Sequence, residues 1–175
     1  NEVIGQPITQ EFMNRVNGME ANRVNKEAID EYKLDLSLEE FTLKCNCILH
    51  ELLLESKPFT GVVELAKKLK QMGYKIGLAT SDDYQRTKIK FANKPDILSV
   101  FDVILTRNDV KQAKPDPEIF VKCANKLGVT DPSNVLVFED AINGIKAANS
   151  AGMASAFFAN GNTECEKYFE KYGGS

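Results

Sequence analysis

Residues 134–152 limit the fold more than any other part of the chain: Asn-Val-Leu-Val-Phe-Glu-Asp-Ala-Ile-Asn-Gly-Ile-Lys-Ala-Ala-Asn-Ser-Ala-Gly. Four apolar residues, 135–138, run directly into Glu139 and Asp140. A helical pattern of small residues follows, with Ile142, Ile145, Ala148 and Ala151 on one face and Gly152 placed to end it. A short apolar run with these borders predicts a strand buried on both faces, as in a parallel sheet. The acidic pair then lies at the carboxyl end of that strand, the edge where open α/β sheets hold their ligands. Two carboxylates there suit a hard cation such as Mg2+. An aspartate after a strand also serves as the N-cap of the next helix, and Asp140 fits both descriptions.

The rest of the chain supplies the context. Residues 1–56 show helical periodicity only: a segment over 8–16, a break at 17–20, a second helix over 21–32 and a third from Ser37 to about residue 55. Glu40 stands three residues after Ser37, the spacing of a capping box. Residues 56–61, Ser-Lys-Pro-Phe-Thr-Gly, mark the first boundary. Beyond it helices are expected over 62–72, 84–91, 95–100, 118–127 and 164–172, and strands over 74–79, 101–105, 134–138 and 154–158. Strands alternating with helices imply βαβ units and a parallel sheet. The fold class expected is α/β, a parallel-sheet core over 58–175 flanked by helices, preceded by a helical cap over 1–57.

Composition removes several function classes. A net charge of −3 over 175 residues argues against a nucleic-acid surface, which is usually basic. No window approaches the roughly 18 apolar residues of a membrane span. Cys45, Cys47, Cys123 and Cys165 are scattered apart from one Cys-x-Cys in a helical context, a poor metal clip, so reduced thiols and a cytoplasmic location are expected. The single histidine, His50, sits in a polar helical stretch and is expected to be a surface residue.

Three strand ends carry polar groups of particular kinds. Thr80 and Ser81 end one strand, Lys114 lies in the loop after the next, and Glu139-Asp140 ends the third. In a parallel sheet these ends share one edge. A hydroxyl holds phosphate oxygens, a lysine neutralises a phosphate and a neighbouring carboxylate, and a carboxylate pair holds Mg2+. Taken singly, Thr80-Ser81-Asp82 also reads as a helix-start turn, and Lys114-Pro115-Asp116-Pro117 as a turn with a surface lysine. Together they describe a phosphoryl-transfer site without a nucleophile.

These residues resemble the haloacid-dehalogenase-like phosphohydrolases, in the branch related to β-phosphoglucomutase. The family's second motif, a Ser or Thr after an apolar strand, is matched by Thr80. Its third, a Lys before Pro, is matched by Lys114, and its fourth, an acidic pair before a Gly-x-x-Ala-Ala helix, by Glu139 and Asp140. Residues 101–161 are especially similar to pseudouridine-5'-phosphatase-like and glycerol-3-phosphatase-like members. The resemblance implies a Rossmann-like core and a cap that closes over the site and selects the leaving group. It implies a Mg2+-dependent phosphatase that acts on a small phosphomonoester through an aspartyl phosphate. Thr80 and Lys114 would be catalytic, Thr80, Ser81, Lys114 and Arg23 would contact substrate, and Glu139 and Asp140 would hold the metal. Residues 17–23 are the expected substrate contact of the cap, although Arg23 also reads as an exposed helix charge. The family's first motif, Asp-x-Asp after the central strand, has no match in this chain. The chain is therefore expected to be a fragment lacking the nucleophile and the central strand, inactive as it stands, and monomeric. A sugar-phosphate mutase and a non-catalytic remnant are the alternatives.

Overall fold

Helices and parallel strands alternate along most of the chain in the computed structural model, which describes residues 2–16, 21–158, 167, 170 and 171. The chain forms two units, residues 1–56 and 57–175. The expected break at 17–20, Cys165 and nearly all of the expected helix over 164–172 lie outside the described residues.

In the first unit, α1 (Gln10–Val16), α2 (Ala21–Glu31) and α3 (Leu38–Glu55) pack around Phe12, Val16, Ala28 and Phe41. The Phe12 and Tyr32 rings meet edge to face with centroids 5.4 Å apart. Ser37 and Glu40 form the reciprocal cap of α3: Glu40 N–H donates to Ser37 Oγ at 3.2 Å and Ser37 N–H to Glu40 Oε2 at 2.9 Å. His50 is exposed.

The second unit begins with α4 (Val62–Gln71), β1 (Gly77–Ala79), α5 (Tyr84–Phe91), α6 (Pro95–Leu98) and β2 (Val103–Leu105). It continues with α7 (Glu118–Lys126), β3 (Leu136–Glu139), α8 (Ile142–Ser150) and β4 (Ala154–Phe157). Strand β1 pairs with β2 and β3 with β4, both parallel, with Gly77 opposite Val103 and Glu139 opposite Phe157. Among the described residues the strands thus form two two-stranded ladders rather than one sheet. Their shared core contains Leu105, Ile119, Phe120, Cys123, Ala124, Val137, Ala147 and Ala148.

Two strand expectations are corrected. The segment 74–79 contributes only three ladder residues, because the Asp102 carboxylate takes the Ile76 N–H at 2.8 Å, where a ladder carbonyl would otherwise sit. Strand β3 starts at Leu136, since Pro132–Asn134 forms a 3-10 turn. Nor is β3 buried on both faces. Val137 is 7% exposed, whereas Leu136 and Phe138 are 55% and 42% exposed. Side chains alternate along a strand, and only the Val137 side meets the core.

Gly77 packs where α7 crosses β1. A methyl group there would overlap Cys123 Sγ and come within 3.2 Å of Leu127 Cδ1. Cys123 is buried, which pushes its thiol pKa up and leaves little thiolate. No helix of the described residues is long and apolar enough to cross a membrane. Gly77→Ala is expected to lower stability by about 1–3 kcal/mol through overpacking, read as a lower urea midpoint. An unchanged midpoint would mean that α7 can move off the strand without penalty.

Candidate active site

The polar residues at the carboxyl ends of β1 and β3 meet because one long side chain reaches both. Lys114 lies in the loop between β2 and α7, followed by a cis peptide bond to Pro115. Its Nζ donates to Ala79 O at 3.1 Å and to the Glu139 carboxylate, and stands 4.6 Å from the centroid of the Phe120 ring. The Lys114 and Glu139 side chains are only 10% and 11% exposed. The surface-lysine reading of this loop is therefore not what the structure shows. An ammonium over an aromatic face gains further electrostatic attraction.

Glu139 is held from both sides. One carboxylate oxygen takes Lys114, and the other accepts the N–H groups of Asp140 and Ala141 at 3.1 and 3.3 Å. Its own carbonyl accepts Phe158 N–H at 2.8 Å. The carboxyl group lies against Gly144 in the first turn of α8, where any Cβ would overlap it. Asp140 is half-buried beside it. The N-cap of α8 is Ala141, with no side-chain cap bond, so Asp140 is not serving as that cap.

Thr80 follows β1 directly and prolongs the ladder by one bond, its N–H donating to Leu105 O at 2.9 Å. Its Oγ1 accepts Asp82 N–H at 3.1 Å. The cap of α5 is Asp83, whose carboxylate accepts Arg86 N–H at 2.8 Å. The helix start thus belongs to Asp83, and Thr80, Ser81 and Asp82 form the turn before it. Ser81 is exposed. Thr80, Lys114, Glu139 and Asp140 stand at the ends of β1 and β3 within the second unit. Arg23 belongs to α2 of the first unit, where it is exposed.

The loop carrying Lys114 is held by its own backbone. Glu118 Oε2 accepts the N–H groups of Lys111 and Gln112 at 2.9 and 2.8 Å, and Glu118 Oε1 pairs with Lys122 at 2.6 Å. The Gln112 amide foremost, then Lys122 and the Lys111 amide, pull the Glu118 carboxyl from its ordinary 4.5 down to about 2. Arg107 Nη1 donates to Val110 O at 2.7 Å on the other side. Glu118, Phe120 and Gly144 were not among the site residues read from sequence. The only signal for Gly144 is a glycine inside a helical pattern of small residues, whereas nothing local distinguishes Phe120 from any core aromatic.

Adjacent carboxylates at a strand end match the oxygen preference of a hard cation. Among the described residues no group of three or more His, Cys, Asp or Glu converges on one point. Glu139 already holds a lysine and two amides.

Comparison with known proteins identifies the family. The profile of the family described as haloacid dehalogenase-like hydrolase matches residues 1–158. The chain is 33% identical over 156 residues to the phosphorylated carbohydrates phosphatase of Thermotoga maritima, covering 87% of the chain and 70% of that protein. Among solved structures, a HAD hydrolase (family IA, variant 3) from Entamoeba histolytica superposes with a TM-score of 0.75 at 25% identity, covering 98% of the chain and 78% of its counterpart. The β-phosphoglucomutase of Clostridium difficile gives 0.65 at 29% identity, covering 95% and 77%. The chain spans 44% to 70% of the length of the first curated relatives it matches.

Gly144→Ala is expected to cost about 1–3 kcal/mol in urea unfolding by driving its new methyl into the Glu139 carboxyl group. Added to Glu139→Ala, the same substitution should cost much less; equal costs in both backgrounds would mean that the overlap is not the cause. For Glu118, a depressed carboxyl pKa means stabilisation that is present above its ordinary 4.5 and lost as pH falls through about 2. The stability advantage of the parent over Glu118→Gln should therefore hold at neutral pH and vanish between pH 4.5 and 2. An advantage that is independent of pH would refute the amide clamp.

Proposed function

The chain belongs to the haloacid dehalogenase-like hydrolases, in the branch that includes β-phosphoglucomutase, and we propose that its strand-end cluster is the phosphate-binding half of a phosphatase acting on small phosphomonoesters. The observation that carries this reading is Lys114, nearly buried and bonded at once to Ala79 O at the end of β1 and to Glu139 at the end of β3. A nearly buried ammonium at this sheet edge is a fixed positive charge. An ammonium has three donors. Ala79 and Glu139 take two, and the third is assigned to a phosphoryl oxygen.

Thr80 is assigned a second contact. Its N–H is committed to the ladder, so its hydroxyl is the group that reaches the phosphate. Ser81, exposed at the next position, is assigned to the outer oxygens. Asp140 would hold Mg2+ with Glu139 behind it. When bound, Mg2+ offsets charge on the transferring phosphoryl group. The reaction also requires a nucleophilic aspartate in addition to these residues: its carboxylate attacks phosphorus, the ester P–O bond breaks, and the leaving oxygen takes a proton. Water then hydrolyses the aspartyl phosphate to inorganic phosphate. The Thermotoga maritima relative is named for phosphorylated carbohydrates, which makes sugar phosphates the first substrates to try. Arg23, exposed on the helical unit, is assigned to substrate contact in this reading.

The test is release of inorganic phosphate from a panel of sugar, polyol and nucleoside monophosphates by the whole protein. Release should require Mg2+ and stop with a chelator. Lys114→Met and Asp140→Asn should each lower kcat about 100- to 1000-fold, the scale of removing one preorganised charge or donor. A parent protein silent across the panel, or variants that retain full rate, would overturn the reading. Isomerised sugar phosphate in place of free phosphate would mark a mutase.

A further inference from the structure

The turn that presents Thr80 is held by Asp82 and Lys90. Asp82 stands two residues after Thr80, and three bonds fix it. Its N–H donates to Thr80 Oγ1 at 3.1 Å, its carbonyl accepts Arg107 N–H at 2.8 Å, and its carboxylate accepts Lys90 Nζ at 2.5 Å. Lys90 comes from the last turn of α5, eight residues along the chain. Asn108 adds a second bond between the same two loops, its side-chain oxygen accepting Tyr84 N–H at 2.8 Å. The turns after β1 and β2 are thereby joined, with Asp82 at the junction.

The bond to Thr80 Oγ1 has a chemical consequence. A hydroxyl has one proton and two lone pairs. The Asp82 amide occupies a lone pair, so the hydroxyl turns its proton away from that amide. We infer that Asp82 and Lys90 are positioning residues: the Lys90–Asp82 pair holds the Asp82 backbone so that the Thr80 hydroxyl faces the open sheet edge as a donor. A donor aimed in advance at a phosphoryl oxygen stabilises developing charge without reorganisation. Without Lys90, Asp82 keeps its carbonyl bond but loses the anchor to α5. The amide can then swing, and the hydroxyl is free to present a lone pair to an anion.

A half-exposed ion pair contributes little to stability, commonly below about 1 kcal/mol. The Asp82 and Lys90 side chains are 23% and 38% exposed, so an ordinary structural role would show as a small change in unfolding midpoint and nothing else. The inference rests on the phosphatase reading, and a double-mutant cycle in the whole protein separates the two. Lys90→Met is expected to lower kcat/KM about tenfold, within the range that displacement of a reacting group produces, with a nearly unchanged unfolding midpoint. Thr80→Ala should lower it roughly a hundredfold. The double variant should be no worse than Thr80→Ala alone, because Lys90 has no other route to the phosphate. Lys90→Arg should recover most of the loss. Asp82→Asn, which keeps an acceptor oxygen but no charge, should fall between parent and Lys90→Met, and it replaces Lys90→Met in the cycle if that variant is unfolded. Full kcat/KM in Lys90→Met, or the same tenfold loss with Thr80 already removed, would overturn the positioning role while leaving the phosphatase reading intact. A parent enzyme with no phosphatase activity would overturn both.

Discussion

The Lys114–Glu139 pair is the contact on which the rest of the site depends. Two opposite charges are nearly removed from water at the carboxyl ends of strands from two different ladders. Burying either charge alone would cost several kcal/mol, and the pair offsets that cost only with good geometry and further hydrogen bonds. Those bonds are present. Ala79 O and the Phe120 ring share the ammonium, and the Asp140 and Ala141 amides share the carboxylate. The pair therefore specifies one arrangement of three chain segments: the end of β1, the loop before α7 and the turn into α8.

That arrangement leaves little room for variation around it. Gly144 is the residue that lets α8 begin so close to the Glu139 carboxyl group. Gly77 plays the same part between β1 and α7. In each case the side chain is missing because a neighbour occupies its space, and the neighbour is a buried group, Glu139 or Cys123. Around Lys114, backbone amides and carbonyls are taken up by Glu118 and Arg107 from flanking segments. Loops positioned in this way behave less like connections and more like parts of the core.

The face carrying Val137 joins the core with Leu105, Phe120 and Ala147, while Leu136 and Phe138 lie on the other face and remain accessible. Phe138 meets Phe158 at 5.6 Å between ring centroids, and Phe158 stacks on Phe59 at 6.2 Å. This aromatic trio supplies the packing available to that face. Aromatic pairs at such distances contribute about 0.5–1.5 kcal/mol beyond their buried area, far less than an enclosed strand gains.

Periodicity alone determined the class of fold and the order of its elements. Apolar residues at helical spacing placed the helices, short apolar runs placed the strands, and Ser37 with Glu40 marked a helix start to the residue. These signals are local, and each is complete within about a turn of chain. The same local reading named Thr80, Glu139 and Asp140, because a strand end is legible as the point where an apolar run meets polar residues, and Lys114 from the loop that follows β2. Tertiary structure alone decided how those residues are used. It set Glu139 rather than water against Lys114, gave the α5 cap to Asp83 and left Asp140 out of the α8 cap. It also recruited Phe120, Glu118, Lys90 and Gly144. Their roles depend on partners in other segments: Lys114 for Phe120, the Lys111 and Gln112 amides for Glu118, Asp82 for Lys90 and the Glu139 carboxyl group for Gly144. Such choices are made by packing and by the need to pair every buried charge, neither of which leaves a periodic trace in the sequence.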